Sequence, residues 1–210
     1  MSTYAEQPVP TIDAVYSRQD IVKTERIITS GTEKRVADVV LRRADGSETD
    51  AILKFMRPQP FGNSNLMPRE QRIVYMEEEI EAFIALKKLM PRHVPAFLGR
   101  YRSRLEGVDG FVVEKIRGET IGGDFDPVKH LPPENLVDEY QEAVLRMYNN
   151  GLYLFYDSMA SYNLMLGTTE TIHEPSIIMV EPQLFCLTQQ NEKDRQRWAI
   201  DRYMRNLRPV

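Results

Sequence analysis

Between residues 21 and 90 the apolar side chains change their spacing, and that change restricts the chain to folds built from a sheet and then a helix. The stretch IVKTERIITSGTEKRVADVVLRRADGSETDAILKFM reads as three strands. Gly31 punctuates the first connection. Asp45-Gly46 marks a hairpin turn between the second and third strands, since both residues tolerate the backbone angles such turns need. RPQPFGNSNLMPRE is a loop rich in Pro, Gly and Asn. From Pro68 to about Met90, Ile73, Met76, Ile80, Phe83 and Ile84 recur at helical spacing, and Pro91 helps to stop that helix. VPAFLGRYRSRL and GFVVEKI, joined around Gly107-Val108-Asp109-Gly110, read as a second hairpin.

The pattern changes again after Gly118. GETIGGDFDPVKHLPP reads as a linker or short-helix region, and Pro132-Pro133 opens a helix running to about Asn149. Leu136, Tyr140, Ala143, Val144 and Met147 share one face of it. NNGLYLFY turns into a short strand, NLML and SIIMV are two more, and the tail from Asn191 to about Leu207 is a helix. Trp198, Ile200 and Tyr203 are its expected docking groups. Strands, helix, strands, then helix, short strands and helix argue for an α+β class with two lobes, not the repeating units of a parallel sheet.

Composition excludes several classes. A chain of 210 residues is one large domain or two small lobes, and at this size it buries roughly 70% of its unfolded surface without a disulfide or metal staple. Its net charge of −4, with both signs interspersed, argues against a nucleic-acid partner. Cys186 is alone, which excludes an intramolecular disulfide and fits a reducing compartment. No apolar h-region follows Met1 and no run approaches the ~18 apolar residues of a membrane helix. The expectation is a soluble cytoplasmic protein with no membrane partner. His93, His130 and His173 lie far apart, so a zinc site is not expected. Nucleophile-elbow, Walker, dinucleotide-binding and His-Glu-x-x-His motifs are all missing from the sequence.

The order of elements, with the residues at its junctions, resembles the protein-kinase-like fold over about residues 21 to 187. The resemblance is strongest to its small atypical branches, the aminoglycoside-phosphotransferase-like and fungal minimal kinase-like proteins. AILKF resembles the third-strand Val-Ala-Ile-Lys signature, which implies that Lys54 grips nucleotide phosphates. EEEIEAFIAL resembles the helix whose glutamate holds that lysine; the spacing favours Glu79, with Glu78 and Glu81 as alternatives. FVVEKIRGETI resembles the passage between lobes, implying that Val113 is the gatekeeper and that Glu114 to Ile116 meet an adenine edge. Ile52 would roof the adenine. NNGLYLFYDSMASYNLML resembles the catalytic loop, with Asp157 at the base position and Asn163 at the magnesium-binding amide. IIMVEPQ stands in place of Asp-Phe-Gly and puts Glu181 at the second metal-binding carboxylate. The implied cofactors are ATP and Mg²⁺, and the implied partner is a nucleotide or small-molecule substrate in an inter-lobe cleft. The implied organisation is an N-terminal arm over 1–20, an N-lobe of antiparallel sheet plus one long helix over 21–113, and a truncated C-lobe over 114–210.

Those residue types suit phosphoryl transfer, which asks a protein mainly to position two groups and neutralise developing charge. A fixed cation meets the phosphates, carboxylate and amide oxygens are the hard donors Mg²⁺ prefers, and a further carboxylate takes the acceptor proton. The sequence departs from the family at each motif. ITSGTEKRV has one glycine where a phosphate-cradling loop has several, and Ile52 replaces a small alanine. Phe155 and Tyr156 replace the His-Arg pair, and Glu181-Pro182-Gln183 replaces Asp-Phe-Gly. Asp157 and Asn163 are six residues apart, where the family has five. Twenty-nine residues follow Glu181, and the expectation is that a peptide-docking platform is absent. Two alternatives therefore stand beside an ATP- and Mg-dependent phosphotransferase. One is a pseudokinase-type binding module. The other is a kinase fold repurposed, without ATP, as a small-molecule enzyme with Phe155, Tyr156, Ile52 and Val113 against an apolar substrate.

Overall fold

The computed structural model of the chain describes residues 14–29, 34–56, 68–103, 107–122, 130–154, 156–185 and 190–208. It divides into two compact units: residues 1–66 with 97–113, and residues 67–96 with 114–210. The class is mixed α+β.

The first unit holds a six-stranded sheet built from β1 (Val15–Tyr16), β2 (Ile21–Thr29), β3 (Lys34–Arg42), β4 (Glu48–Met56), β5 (Phe97–Ser103) and β6 (Gly107–Glu114). Its order is β1-β5-β6-β4-β3-β2. The β3–β4 hairpin runs in unbroken register from Lys34 opposite Met56 to Arg42 opposite Glu48. Its turn follows from Asp45-Gly46. Gly46 has φ +84°, which a side chain would strain. The Asp45 carboxylate accepts from the Ser47 amide at 2.9 Å and from the Ser47 hydroxyl at 2.6 Å. Those two bonds hold the Asp45 carboxyl below the usual carboxylate range.

Strand alternation then sorts the side chains. Ala37, Val39, Leu41, Ala51, Leu53, Leu98 and Val112 form one buried apolar cluster, with Tyr16, Ile21, Phe55 and Tyr101 packed against it. This corrects the expectation of a loose arm up to residue 20. Val15 and Tyr16 pair in parallel with Arg100 and Tyr101, and the Arg100 amide donates to the Ala14 carbonyl at 2.9 Å. Tyr16 ties this end of the arm down by adding its ring to the core. The second hairpin also turns elsewhere than expected. Gly107 to Gly110 lie within β6, paired opposite Ser103 to Tyr101, so the connection falls at 104–106, outside the described residues.

The second unit contains α1 (Arg69–Leu89), β7 (Arg117–Thr120), α2 (Glu134–Asn149), β8 (Tyr153–Leu154), β9 (Leu164–Thr168), β10 (Ser176–Met179), β11 (Leu184–Phe185) and α3 (Gln190–Asn206). The strands form a three-stranded sheet, β10-β9-β7, and a β11–β8 pair. β7 was expected to be linker. It is a strand because Gly118 lies against Leu166 and Gly167, where any Cβ would overlap the Leu166 carbonyl oxygen. The long helix α1, expected with the first sheet, groups with this unit instead. Its Lys87 ammonium donates to the Pro91 and Val94 carbonyls and to the Thr171 hydroxyl, each at 2.9 Å.

His93, in the turn after α1, is buried. Its Nδ1–H donates to the Ile177 carbonyl at 2.9 Å and its ring meets Tyr140 edge-on at 5.3 Å. Burial pushes the imidazole below its ordinary 6.5, against the opposing pull of that hydrogen bond and of Glu139, and with the help of Arg92 and Arg146. The unfolded chain therefore takes up a proton below about pH 6.5 that the native ring refuses, so stability falls as pH drops below that value. Urea midpoints at pH 7.5 and 5.5 should show the loss in the wild type and a smaller loss in His93→Asn, whose amide can replace the Nδ1 donor. An equal loss in both proteins would place the pH dependence elsewhere.

Candidate functional site

In the first unit, Lys54 lies on β4 and is only 2% exposed. It sits among the residues that alternate away from the apolar cluster: Ala51 and Leu53 face that cluster, whereas Ile52 and Lys54 take the intervening positions. The Lys54 ammonium is 5.8 Å from the centre of the Phe111 ring, within the range of a cation–π attraction. Phe111 and Val113 alternate with the cluster residue Val112 in the same way on neighbouring β6. Phe97 pairs opposite Val113, and its ring centre lies 6.4 Å from that of Phe111. Ile52, Lys54 and Val113 thus share one sheet face. An ammonium so fully withdrawn from water is costly to bury, and it is not the solvated lysine that a strand end ordinarily carries.

In the second unit the helix phase of α1 separates its glutamates. Glu79 is 3% exposed, whereas Glu78 and Glu81 are exposed. The segments bearing Asp157, Asn163 and Glu181 meet. Tyr156–Met159 and Ser161–Asn163 are two 3₁₀ turns in succession. The buried Ser158 hydroxyl donates to the Glu181 carbonyl at 3.0 Å and accepts from the Gln183 amide at 3.0 Å. The Val180 amide donates to the Asn163 carbonyl at 2.9 Å, extending by one pair the β9–β10 ladder that ends at Leu164 opposite Met179. From the other side, Ile121 and Gly122 donate their amides to Leu164 and Ser161 at 2.9 and 3.0 Å. Asn163 and Glu181 are both half-buried. Asp157 is placed by its backbone within the first 3₁₀ turn, and the side chains of Tyr156 and Asp157 and all of Phe155 lie outside the described residues.

Among the described residues no group of three or more His, Cys, Asp or Glu side chains gathers as a metal site. Mg²⁺ does not need one, because it binds through one or two protein carboxylates and keeps water and phosphate oxygens for the rest. Glu181 and Asn163 are residue types of that donor set, and their segments are joined through the Ser158–Glu181 and Val180–Asn163 hydrogen bonds.

Glu114 has a role that no sequence pattern marked. The residue is 2% exposed, and its carboxylate accepts from the Ala96 amide at 2.7 Å and from the Thr169 hydroxyl, the Thr171 amide and the Thr171 hydroxyl at 2.9 Å each. The Thr171 hydroxyl in turn accepts from Lys87. Burial lowers the Lys87 pKa, and the nearby Glu114 charge opposes that fall. The Glu114 amide, on the segment expected to meet an adenine edge, donates to the Ala96 carbonyl at 2.9 Å. Ile116 follows in the half-buried link between β6 and β7.

No protein-family model matches the chain, and no curated protein matches it either. No helix among the described residues is long and apolar enough to cross a membrane.

Proposed function

We propose that this chain is a divergent minimal kinase-fold protein that binds ATP with Mg²⁺ and transfers the γ-phosphoryl group to a hydroxyl acceptor. The observation that carries the reading is the meeting, within the second unit, of the three segments bearing Asp157, Asn163 and Glu181, tied by Ser158 and by the Asn163–Val180 bond. The burial of Lys54 and Glu79, a cation and a carboxylate that would ordinarily be solvated, supports it.

In this reading Lys54 and Glu79 take the phosphate-holding roles, while Asn163 and Glu181 hold the metal ion. Mg²⁺ held by Asn163 and Glu181 would supply positive charge to offset that of the phosphates. The Asp157 carboxylate accepts the proton of the acceptor hydroxyl as its oxygen bonds to the γ-phosphorus. The bond from that phosphorus to the β,γ-bridging oxygen breaks, and ADP leaves with the bond's electron pair. By the resemblance, Val113, Ile52 and the Glu114–Ile116 backbone would be the residues to meet the base. A second reading, a binding module without turnover, is favoured by Ile52 and the single glycine of the β2–β3 connection, since both reduce the grip on a nucleotide.

Thermal melting separates the outcomes. A ligand at 100 times its Kd adds about 2.7 kcal/mol, which for a chain of this size raises Tm by roughly 5–10 °C. Mg-ATP should produce that shift and ADP should accumulate with a hydroxyl-rich acceptor. A shift without ADP formation would move the assignment to the binding module. No shift at millimolar Mg-ATP would overturn the nucleotide reading altogether, and a shift with an apolar ligand instead would favour the repurposed enzyme.

A further inference from the structure

The exposed faces of α1 and α3 carry matching stripes. On α3, Arg195, Trp198, Arg202 and Arg205 are all exposed, Trp198 at 57%, and the Arg202 guanidinium is 5.3 Å from the Trp198 ring centre. Trp198 was expected to dock on the core. It does not, because Ala199, Ile200, Met204 and Leu207 define the buried face of the helix and Trp198 lies outside it. On α1, Gln71, Val74, Glu78 and Glu81 are exposed, with Val74 at 56% and the adjacent Tyr75 at 46%. The two sets have the same spacing of three, four and three residues, the spacing of a helix–helix seam. Laid parallel, they set Gln71 against Arg195, Val74 against Trp198, Glu78 against Arg202 and Glu81 against Arg205. The flanking acids do not collide in this arrangement: Glu77 faces Asn206 and Asp194 faces Tyr75.

We propose that this chain self-associates, with α1 of one copy packing in parallel on α3 of a second copy through these stripes. The occupant is a second copy because the complement of the arginine and tryptophan stripe, in charge, apolar content and spacing, is present on the chain itself. The two stripes are different surfaces, so the contact is head-to-tail: it closes into a ring where the rotation between copies allows and otherwise runs on as a chain of copies. Much of the attraction is between surface charges, so association weakens as salt is raised.

Trp198 is the only tryptophan in the sequence and therefore reports on the contact directly. Sedimentation velocity of the full chain over a concentration series at low salt should show species heavier than the 24.4 kDa monomer, with Trp198 emission moving to the blue in parallel. The double reversals Glu78→Arg with Glu81→Arg, and Arg202→Glu with Arg205→Glu, should each weaken association about tenfold or more, equivalent to about 1.4 kcal/mol. Mixing the two reversed proteins should restore it, because every pair is then complementary again. All these residues are exposed, and circular dichroism and Tm confirm that each variant remains folded. A monomer at every concentration, an oligomer indifferent to both reversals, or failure of the mixture to recover would overturn the proposal. Binding of single-stranded RNA by an unassociated chain, lost on the arginine reversal, would assign the α3 stripe to nucleic acid instead.

Discussion

Glu114→Ala lowers the stability of the protein by about 3–5 kcal/mol, the cost of removing one partner from a buried charged network. For a chain of this length that corresponds to a fall in Tm of roughly 6–20 °C. The size follows from what the carboxylate serves. It accepts from two backbone amides, Ala96 and Thr171, and from two hydroxyls, Thr169 and Thr171. The hydroxyls can rotate toward other acceptors, but the amides cannot, and each buried donor left alone costs about 1–3 kcal/mol. The half-buried Lys87 ammonium also loses the charge that offsets its burial. Glu114→Gln keeps the shape and one acceptor oxygen, so it should cost only about 1–2 kcal/mol. Lys87→Met should cost a similar amount, since Pro91 and Val94 lose their donor close to solvent. The double variant Glu114→Ala with Lys87→Met should lose less than the two single effects added, by roughly 0.5–3 kcal/mol, because the network is shared. Urea denaturation measures all four proteins. A cost below about 1 kcal/mol for Glu114→Ala would show that the carboxylate is not the hub its hydrogen bonds describe.

This network explains why part of the molecule was legible in the sequence and part was not. Elements with a period or a turn signal could be read. The β3–β4 hairpin announces itself through Asp45-Gly46, and α1 and α2 through apolar residues spaced along one face, each opened by proline at Pro68 and Pro133. Elements that depend on a distant partner could not. Gly118 reads as a breaker in isolation, yet its missing side chain is what admits β7 beside β9. Glu114 was marked only for its backbone, in the segment expected to meet an adenine edge; its carboxylate gives no sign of its role until Thr169 and Thr171, more than fifty positions away, close around it. Trp198 shows the opposite failure. Its size suggested a core residue, but the helix phase set by Ile200, Met204 and Leu207 turns it outward. In the candidate site, the order Asp157, Asn163, Glu181 was visible as a motif, whereas Ser158, which ties the first segment to the last, was hidden as one hydroxyl among several in a loop.

The proposed chemistry makes its largest prediction at Asp157. If its carboxylate takes the acceptor proton, Asp157→Ala lowers turnover by about 10²- to 10⁴-fold, the usual contribution of a positioned general base. Nucleotide affinity should be nearly unchanged, because the phosphates are held elsewhere, so the Mg-ATP thermal shift survives. Lys54→Met should behave in the reverse order. Methionine nearly preserves the buried volume beside Phe111 but removes the cation, so the thermal shift shrinks and turnover falls with it. A fall in turnover with an intact shift in Asp157→Ala, set against loss of both in Lys54→Met, is the pattern expected of separate base and phosphate-holding roles. Equal turnover in wild type and Asp157→Ala would remove the carboxylate from the chemistry. A full thermal shift in Lys54→Met would separate the burial of that lysine from nucleotide binding.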